Sequence, residues 1–191
     1  MNLKYEAIIF DVDGVLVNVF DDKGEFTWCK DIDKELGLSM EQINKFFAKY
    51  WNQVVVGKLD TLKALKGYFE QESIALEPKK FLEYWQSNDL NLDQELMGEV
   101  KSLKEKGYKL YLATNQEKYR AAYLWNQMGL KTVFTELFAS SFMGFQKPNS
   151  KFYEAIERKL EISTEKIFYI DDTQANVEAG NKRGWNSYYY K

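Results

Sequence analysis

The chain has 191 residues, enough for one well-buried domain or one domain with a modest insertion, but not for two full-sized domains. Its 26 Lys and Arg against 29 Asp and Glu give a net charge of −3, and no basic block stands out, which argues against a nucleic-acid partner. The chain contains no histidine, so Ser-His-Asp, Cys-His and His-metal chemistries are excluded, and any acid–base work falls to Asp, Glu, Lys, Tyr or Cys29.

Cys29 is the single cysteine, which rules out an intrachain disulfide and suits a reducing compartment. No signal-like segment precedes Phe10, and no apolar run approaches the roughly 20 residues of a membrane helix. A cytoplasmic protein with no membrane partner is therefore expected. The sequence assigns no oligomeric state. A 45% hydrophobic share with 16% aromatic residues points to a well-filled globular interior.

The first element is the apolar run Ala7-Ile8-Ile9-Phe10, a short buried strand that gives way to Asp11-Val12-Asp13-Gly14-Val15. Alternation would send Asp11 and Asp13 toward the same side. Two like charges so placed raise a pKa unless a cation or proton relieves them, while Gly14 permits a sharp turn. From about Asp31 to Asn88 the apolar residues recur at helical spacing, as in Ile43, Phe46, Phe47, Tyr50 and Trp51. Ser39 with Gln42 forms a capping box, and Glu77-Pro78 opens a further helix.

From Asp93 helix and strand alternate. An amphipathic helix runs to Lys106 and stops at Gly107, then come the strand Tyr108 to Ala113, a helix from Lys118 to Met128, and a weaker strand at about Leu137 to Ser140. Pro148 begins a helix through Leu160, Lys166 to Ile170 is a buried strand, and a last helix and a Tyr188 to Tyr190 strand close the chain. Strands separated by helices imply a parallel sheet with right-handed crossovers.

Polar residues gather at the strand ends. Thr114-Asn115 follows one strand, Asp171-Asp172 another, and Lys147-Pro148 precedes a helix. Each alone reads as a cap or a surface residue; their order along a βαβ chain points to a shared site at the carboxyl edge of the sheet.

These motifs resemble the haloacid dehalogenase-like (HAD) hydrolase superfamily. Asp11-Val12-Asp13-Gly14-Val15 matches its first motif, Thr114 its second, Lys147-Pro148 its third, and Asp171-Asp172 with Asn176 its fourth. Residues 170–180 look most like the small sugar-phosphate phosphatases and the phosphatase domain of epoxide hydrolases. The resemblance implies a Rossmann-like three-layer αβα core with a parallel sheet, residues 1–18 and 89–191, and an inserted α-helical cap, residues 19–88.

The resemblance also implies roles. Asp11 would be the nucleophile that forms an aspartyl-phosphate, and Asp13 the general acid and then base. Mg²⁺ would be held by Asp11, the Asp13 carbonyl and Asp171. Thr114 and Asn115 would hold phosphate oxygens, Lys147 would offset negative charge, and Asp172 and Asn176 would support the metal site and Lys147 from behind. Many relatives place the second acid of the last motif a helical turn further on, where this chain has Asn176-Val177. That departure leaves open which of Asp171 and Asp172 meets the metal. Dehalogenases need no proton donor two residues after the nucleophile, so Asp13 argues for phosphate esters.

The expected activity is a Mg²⁺-dependent phosphomonoesterase acting on a small phosphorylated metabolite, a sugar phosphate or nucleotide. The alternatives are a non-catalytic phosphate-ligand binding or regulatory protein on the same fold, and a phosphomutase. Lys58, in Val56-Gly57-Lys58-Leu59, resembles the substrate loop of related caps and is a candidate contact. Phe20, Phe26, Trp28, Tyr50 and Trp51 could line the cleft or fill the cap's interior.

Overall fold

The computed structural model describes residues 4–21, 24–89 and 91–191. Among them, five strands form one parallel sheet: β1 (Ala7–Phe10), β2 (Lys109–Thr114), β3 (Glu136–Ala139), β4 (Ile167–Asp171) and β5 (Asn186–Tyr189), in the order β3-β2-β1-β4-β5. β1 lies at the centre, its Phe10 opposite Leu112 on one side and Ile170 on the other. All four of its residues are buried, which is why it reads as an unbroken apolar run.

Alternation along β1 feeds two cores. Ile8 and Phe10 join Leu110, Leu112, Met97, Val100 and Leu124, which brings in the helices α5 (Gln94–Glu105) and α6 (Lys118–Asn126). Ala7 and Ile9 join Tyr111, Tyr169, Phe152, Tyr153 and Ile156, which brings in α8 (Ser150–Leu160) on the opposite face. The result is the expected three-layer α/β sandwich. The short α7 (Ser140–Met143) follows β3, and α9 (Gln174–Lys182) follows β4.

Between β1 and α5 the chain builds a helical insert with its own apolar cluster. It comprises α1 (Ile32–Leu36), α2 (Met40–Val54), α3 (Thr61–Gln71) and α4 (Pro78–Asn88), and buries Trp28, Phe46, Leu65, Phe81 and Trp85 together. The Ser39 hydroxyl accepts from Gln42 N while the Gln42 side chain accepts from Ser39 N, completing the capping box.

Several boundaries shift by one or two residues from the sequence expectation. Thr114 and Asp171 lie inside the ladders, opposite Ala139 and Tyr189, so both are held by sheet pairing instead of by loops. α8 starts at Ser150 because Asn149 is its cap, accepting from Lys151 N at 3.0 Å. β5 spans Asn186–Tyr189 because β4 offers partners there. α6 stops at Asn126, and Gly129 turns the chain with φ of 74°.

The insert is fastened to the core at several points. The Ser140 hydroxyl donates to Val55 O at 2.6 Å, and the Thr61 hydroxyl donates to Glu117 Oε2 at 2.6 Å. Asp60 caps α3 through Lys63 N and also meets Lys118 and the Tyr119 hydroxyl. Gly57, with φ of 70°, comes so close that a Cβ there would lie 2.2 Å from Ser141 O.

Candidate active site

The strand order reverses direction of growth at β1, with β2 and β3 added on one side and β4 and β5 on the other. A crevice at the carboxyl ends of β1 and β4 is where such a sheet binds ligands. Asp11 leaves the end of β1 and Asp171 is the last residue of β4. Lys147 bridges them: its Nζ lies 2.8 Å from Asp11 Oδ1 and 2.7 Å from Asp171 Oδ2. A third bond, to Ala113 O at 2.8 Å, completes the ammonium's donor capacity.

All three groups are buried, so their charges depend on one another. Burial by itself would lower the Lys147 pKa, but the two carboxylates outweigh it and hold the amine above its ordinary range. Asp171 shows the converse: burial is overcome by Lys147 and by hydrogen bonds from Tyr169 and Asn176, and its carboxyl is held below the usual range. Asp11 is pushed up to about 8, chiefly by burial, against the pull of Lys147 and with Asp171 adding to the rise. The like charge acting on Asp11 is thus Asp171 across the sheet, where the sequence suggested Asp13.

Asp11, Asp171 and Asp172 each offer a carboxylate oxygen within 4.8 Å of the others. Three hard oxygen donors in this grouping fit Mg²⁺. Both Asp171 oxygens are already engaged, Oδ1 by Thr173 N at 2.8 Å and Asn176 Nδ2 at 3.0 Å, Oδ2 by Lys147 and the Tyr169 hydroxyl. Asp172 accepts a long bond from Thr173 Oγ1 at 3.4 Å. Gly14 makes room for it: at φ of 77° a Cβ on residue 14 would lie 1.9 Å from Asp172 Oδ2.

The Asp13 carboxylate stands apart from that group. Gln116 Nε2 donates to its Oδ2, and Arg120 Nη2 to its Oδ1 at 3.0 Å. Arg120 also grips Asp89, with Nε 2.9 Å and Nη2 2.6 Å from Oδ2. Thr114 lies buried at the end of β2. The Asn115 side chain accepts from Lys147 N at 2.9 Å and donates to Lys147 O at 3.1 Å, so it fixes the backbone that carries the lysine.

The family model for haloacid dehalogenase-like hydrolases matches residues 5–184. The chain belongs to that family. This HAD hydrolase is 24% identical over 193 residues to a sesquiterpene phosphatase of Aspergillus oryzae, covering 96% of this chain and 89% of that protein. It is 28% identical over 203 residues to a pyrimidine 5′-nucleotidase of Streptococcus pneumoniae, covering 97% and 84%. Among solved structures, a HAD-family enzyme of Bacteroides thetaiotaomicron, crystallised with magnesium and inorganic phosphate, superposes with a TM-score of 0.82 at 19% identity over 98% of this chain and 94% of that one. That likeness places the fold, which agrees with the one expected from the sequence.

Asp11, Lys147, Asp171 and Asp172 of the HAD hydrolase come together, with Asn176 behind Asp171, while Thr114 ends β2, the strand next to β1. Lys58 is exposed, and among the described residues its side chain has no hydrogen-bond or ion-pair partner. Trp28, Trp51 and Phe26 border a cavity beside Asp13, whereas Tyr50 packs on Phe46 and Tyr68, and Phe20 stacks on Phe26. Sequence reasoning missed Gln116, Arg120 and Asp89. One signal was present for Arg120: it shares the apolar stripe of α6 with Leu124, and a charge there needs a buried partner.

Proposed function

We propose that this hydrolase is a Mg²⁺-dependent phosphomonoesterase acting on a small cytoplasmic phosphate ester, with residues 19–88 as a cap over a core of 1–18 and 89–191. The observation that carries this reading is the division of labour between Asp11 and Asp13. Asp11 is buried against Lys147 beside two further acids, while Asp13, two residues on, is held separately by Gln116 and Arg120. A binding protein would have no use for a second acid aimed away from the cation group. The names of two curated relatives, a phosphatase and a nucleotidase, support the same class.

In this reading Asp11 attacks phosphorus through a carboxylate oxygen as the bond to the leaving oxygen breaks, and Asp13 gives that oxygen its proton. Asp13 then takes a proton from water, whose oxygen attacks phosphorus and returns Asp11 to its starting state. Asp11, Asp172 and the Asp13 carbonyl would hold Mg²⁺, leaving Asp171 to fix Lys147. This assignment exchanges the roles that the resemblance gave the two adjacent acids, because the Asp171 oxygens already have partners. Bound there, the ion supplies positive charge that lets an anionic carboxylate approach an anionic phosphate. Thr114 and the Asn115 backbone would bind phosphate oxygens, and Lys147 would offset negative charge on Asp11 and phosphate, opposing the burial that raises the Asp11 carboxyl.

Phosphate release from p-nitrophenyl phosphate in the presence of Mg²⁺ tests the reading. EDTA should abolish it and added Mg²⁺ restore it. Asp11→Asn should lower kcat by roughly a thousandfold or more, as removal of a nucleophile does. Undiminished turnover in that variant would overturn the assignment of Asp11.

A further inference from the structure

A cavity of about 320 Å³ lies between the insert and the core, and Asp13, Asp89, Asn115 and Gln116, with the exposed Asn44 at the rim, form the polar part of its lining. This size sits at the lower end of the roughly 300–1,000 Å³ usual for small-molecule sites. Asp13 is the group that would protonate the leaving oxygen, so the alcohol half of the substrate belongs in the space that Asp13 borders. A larger depression of about 790 Å³ lies on the insert beside Lys63, Lys66 and Lys79, and none of the site residues lines it.

The rest of the smaller cavity is apolar. Trp28, Phe47, Trp51 and Trp85 supply aromatic surface, joined by Ile43 and Val19. At the rim, Phe26 and Met40 are 50% and 44% exposed, and Phe20, 45% exposed, stacks on Phe26 with ring centroids 4.7 Å apart. Large apolar side chains left in water around a cleft mark a binding surface. Among the described residues that line the cavity none is Lys or Arg, and its two carboxylates, Asp13 and Asp89, already share the buried Arg120.

This lining selects against two familiar classes of ester. A second anionic group would find no cation and would face two acids. A sugar would bury several hydroxyls against indole and phenyl rings, and each hydroxyl left without a partner costs binding. We infer that the substrate is the phosphate monoester of an uncharged, largely apolar alcohol, with a ring or a short unsaturated chain seated against Trp28, Trp51 and Trp85. This rests on the phosphatase reading and narrows its substrate away from sugar phosphates.

The test compares kcat/KM, with Mg²⁺ present, for acetyl phosphate, benzyl phosphate, geranyl phosphate, glucose 6-phosphate and phosphoglycolate. Benzyl, geranyl and glucose 6-phosphates are all esters of primary alcohols, so their differences report the pocket and not the leaving group. The two apolar esters should exceed glucose 6-phosphate and phosphoglycolate by roughly 10–100-fold, the range one apolar pocket can discriminate. Trp51→Ala should lower kcat/KM for benzyl phosphate roughly tenfold more than for acetyl phosphate, mainly through KM. Asn44→Lys places a cation on the exposed rim of α2 and should shift preference toward phosphoglycolate. If acetyl phosphate turns over but the apolar esters are no better than glucose 6-phosphate, the substrate assignment is overturned. If acetyl phosphate is not hydrolysed, the phosphatase reading fails and this inference with it.

Discussion

Arg120 is 2% exposed and pairs with two carboxylates, an arrangement that repays the cost of burying a guanidinium only while both partners stay. Its planar head holds Asp89 through both Nε and Nη2 while Nη2 also reaches Asp13, a fixed two-nitrogen geometry that a single ammonium does not supply. Arg120→Lys should therefore fold but aim Asp13 poorly, lowering kcat roughly 10–100-fold with little change in KM. Arg120→Met should also cost about 3–5 kcal/mol in denaturant unfolding, because the buried Asp89 and the half-buried Asp13 then face each other without a counter-charge. Unchanged kcat in Arg120→Lys would remove the positioning role. The partners of Arg120 lie 31 and 107 residues away, so nothing local in the sequence names them. Asp11, Lys147 and Asp171 were legible because each follows or ends a recognisable strand or precedes a helix. Gly14 was legible only as a turn residue; its close approach to Asp172 needed the folded chain.

Elements whose cause is local were read most faithfully. The capping box of α2 depends on two side chains three residues apart, and both of its bonds are present. Ser39→Ala should lower stability by about 1 kcal/mol in urea unfolding and leave kcat unchanged, since the cap lies outside the site. β1 was legible from its central burial. The outer strands were less so, because their limits are set by neighbours: β5 is largely exposed and ends where β4 ceases to offer partners. The same holds for Thr114 and Asp171, which a sequence reading places just beyond strands and the sheet takes in as last residues.

On the scale of the whole molecule, the insert meets the core through a buried acid. Glu117 accepts from the Thr61 hydroxyl and from Tyr119 N and Arg120 N, and burial, only partly offset by these bonds, raises its carboxyl above the usual glutamate range. The folded protein thus holds a proton that the unfolded chain releases near 4.5. This group's contribution to stability is full below 4.5, is lost as pH rises through the folded pKa, and changes no further above it. Glu117→Gln keeps an acceptor for α6 and removes the titration. The melting temperature of this variant relative to the parent should therefore rise with pH from 4.5 and then level off, and a difference independent of pH would contradict the sign. Arg120 carries a second message at this scale. Asp89, one residue past α4, shares its guanidinium with Asp13. A displacement of Asp89, at the junction of the proposed cap and core, would act on the guanidinium that also holds Asp13, the proposed proton donor. In a cap that moves during turnover, the end of α4 and the proposed proton donor would be coupled through one guanidinium, with Gln116 holding Asp13 from the core side.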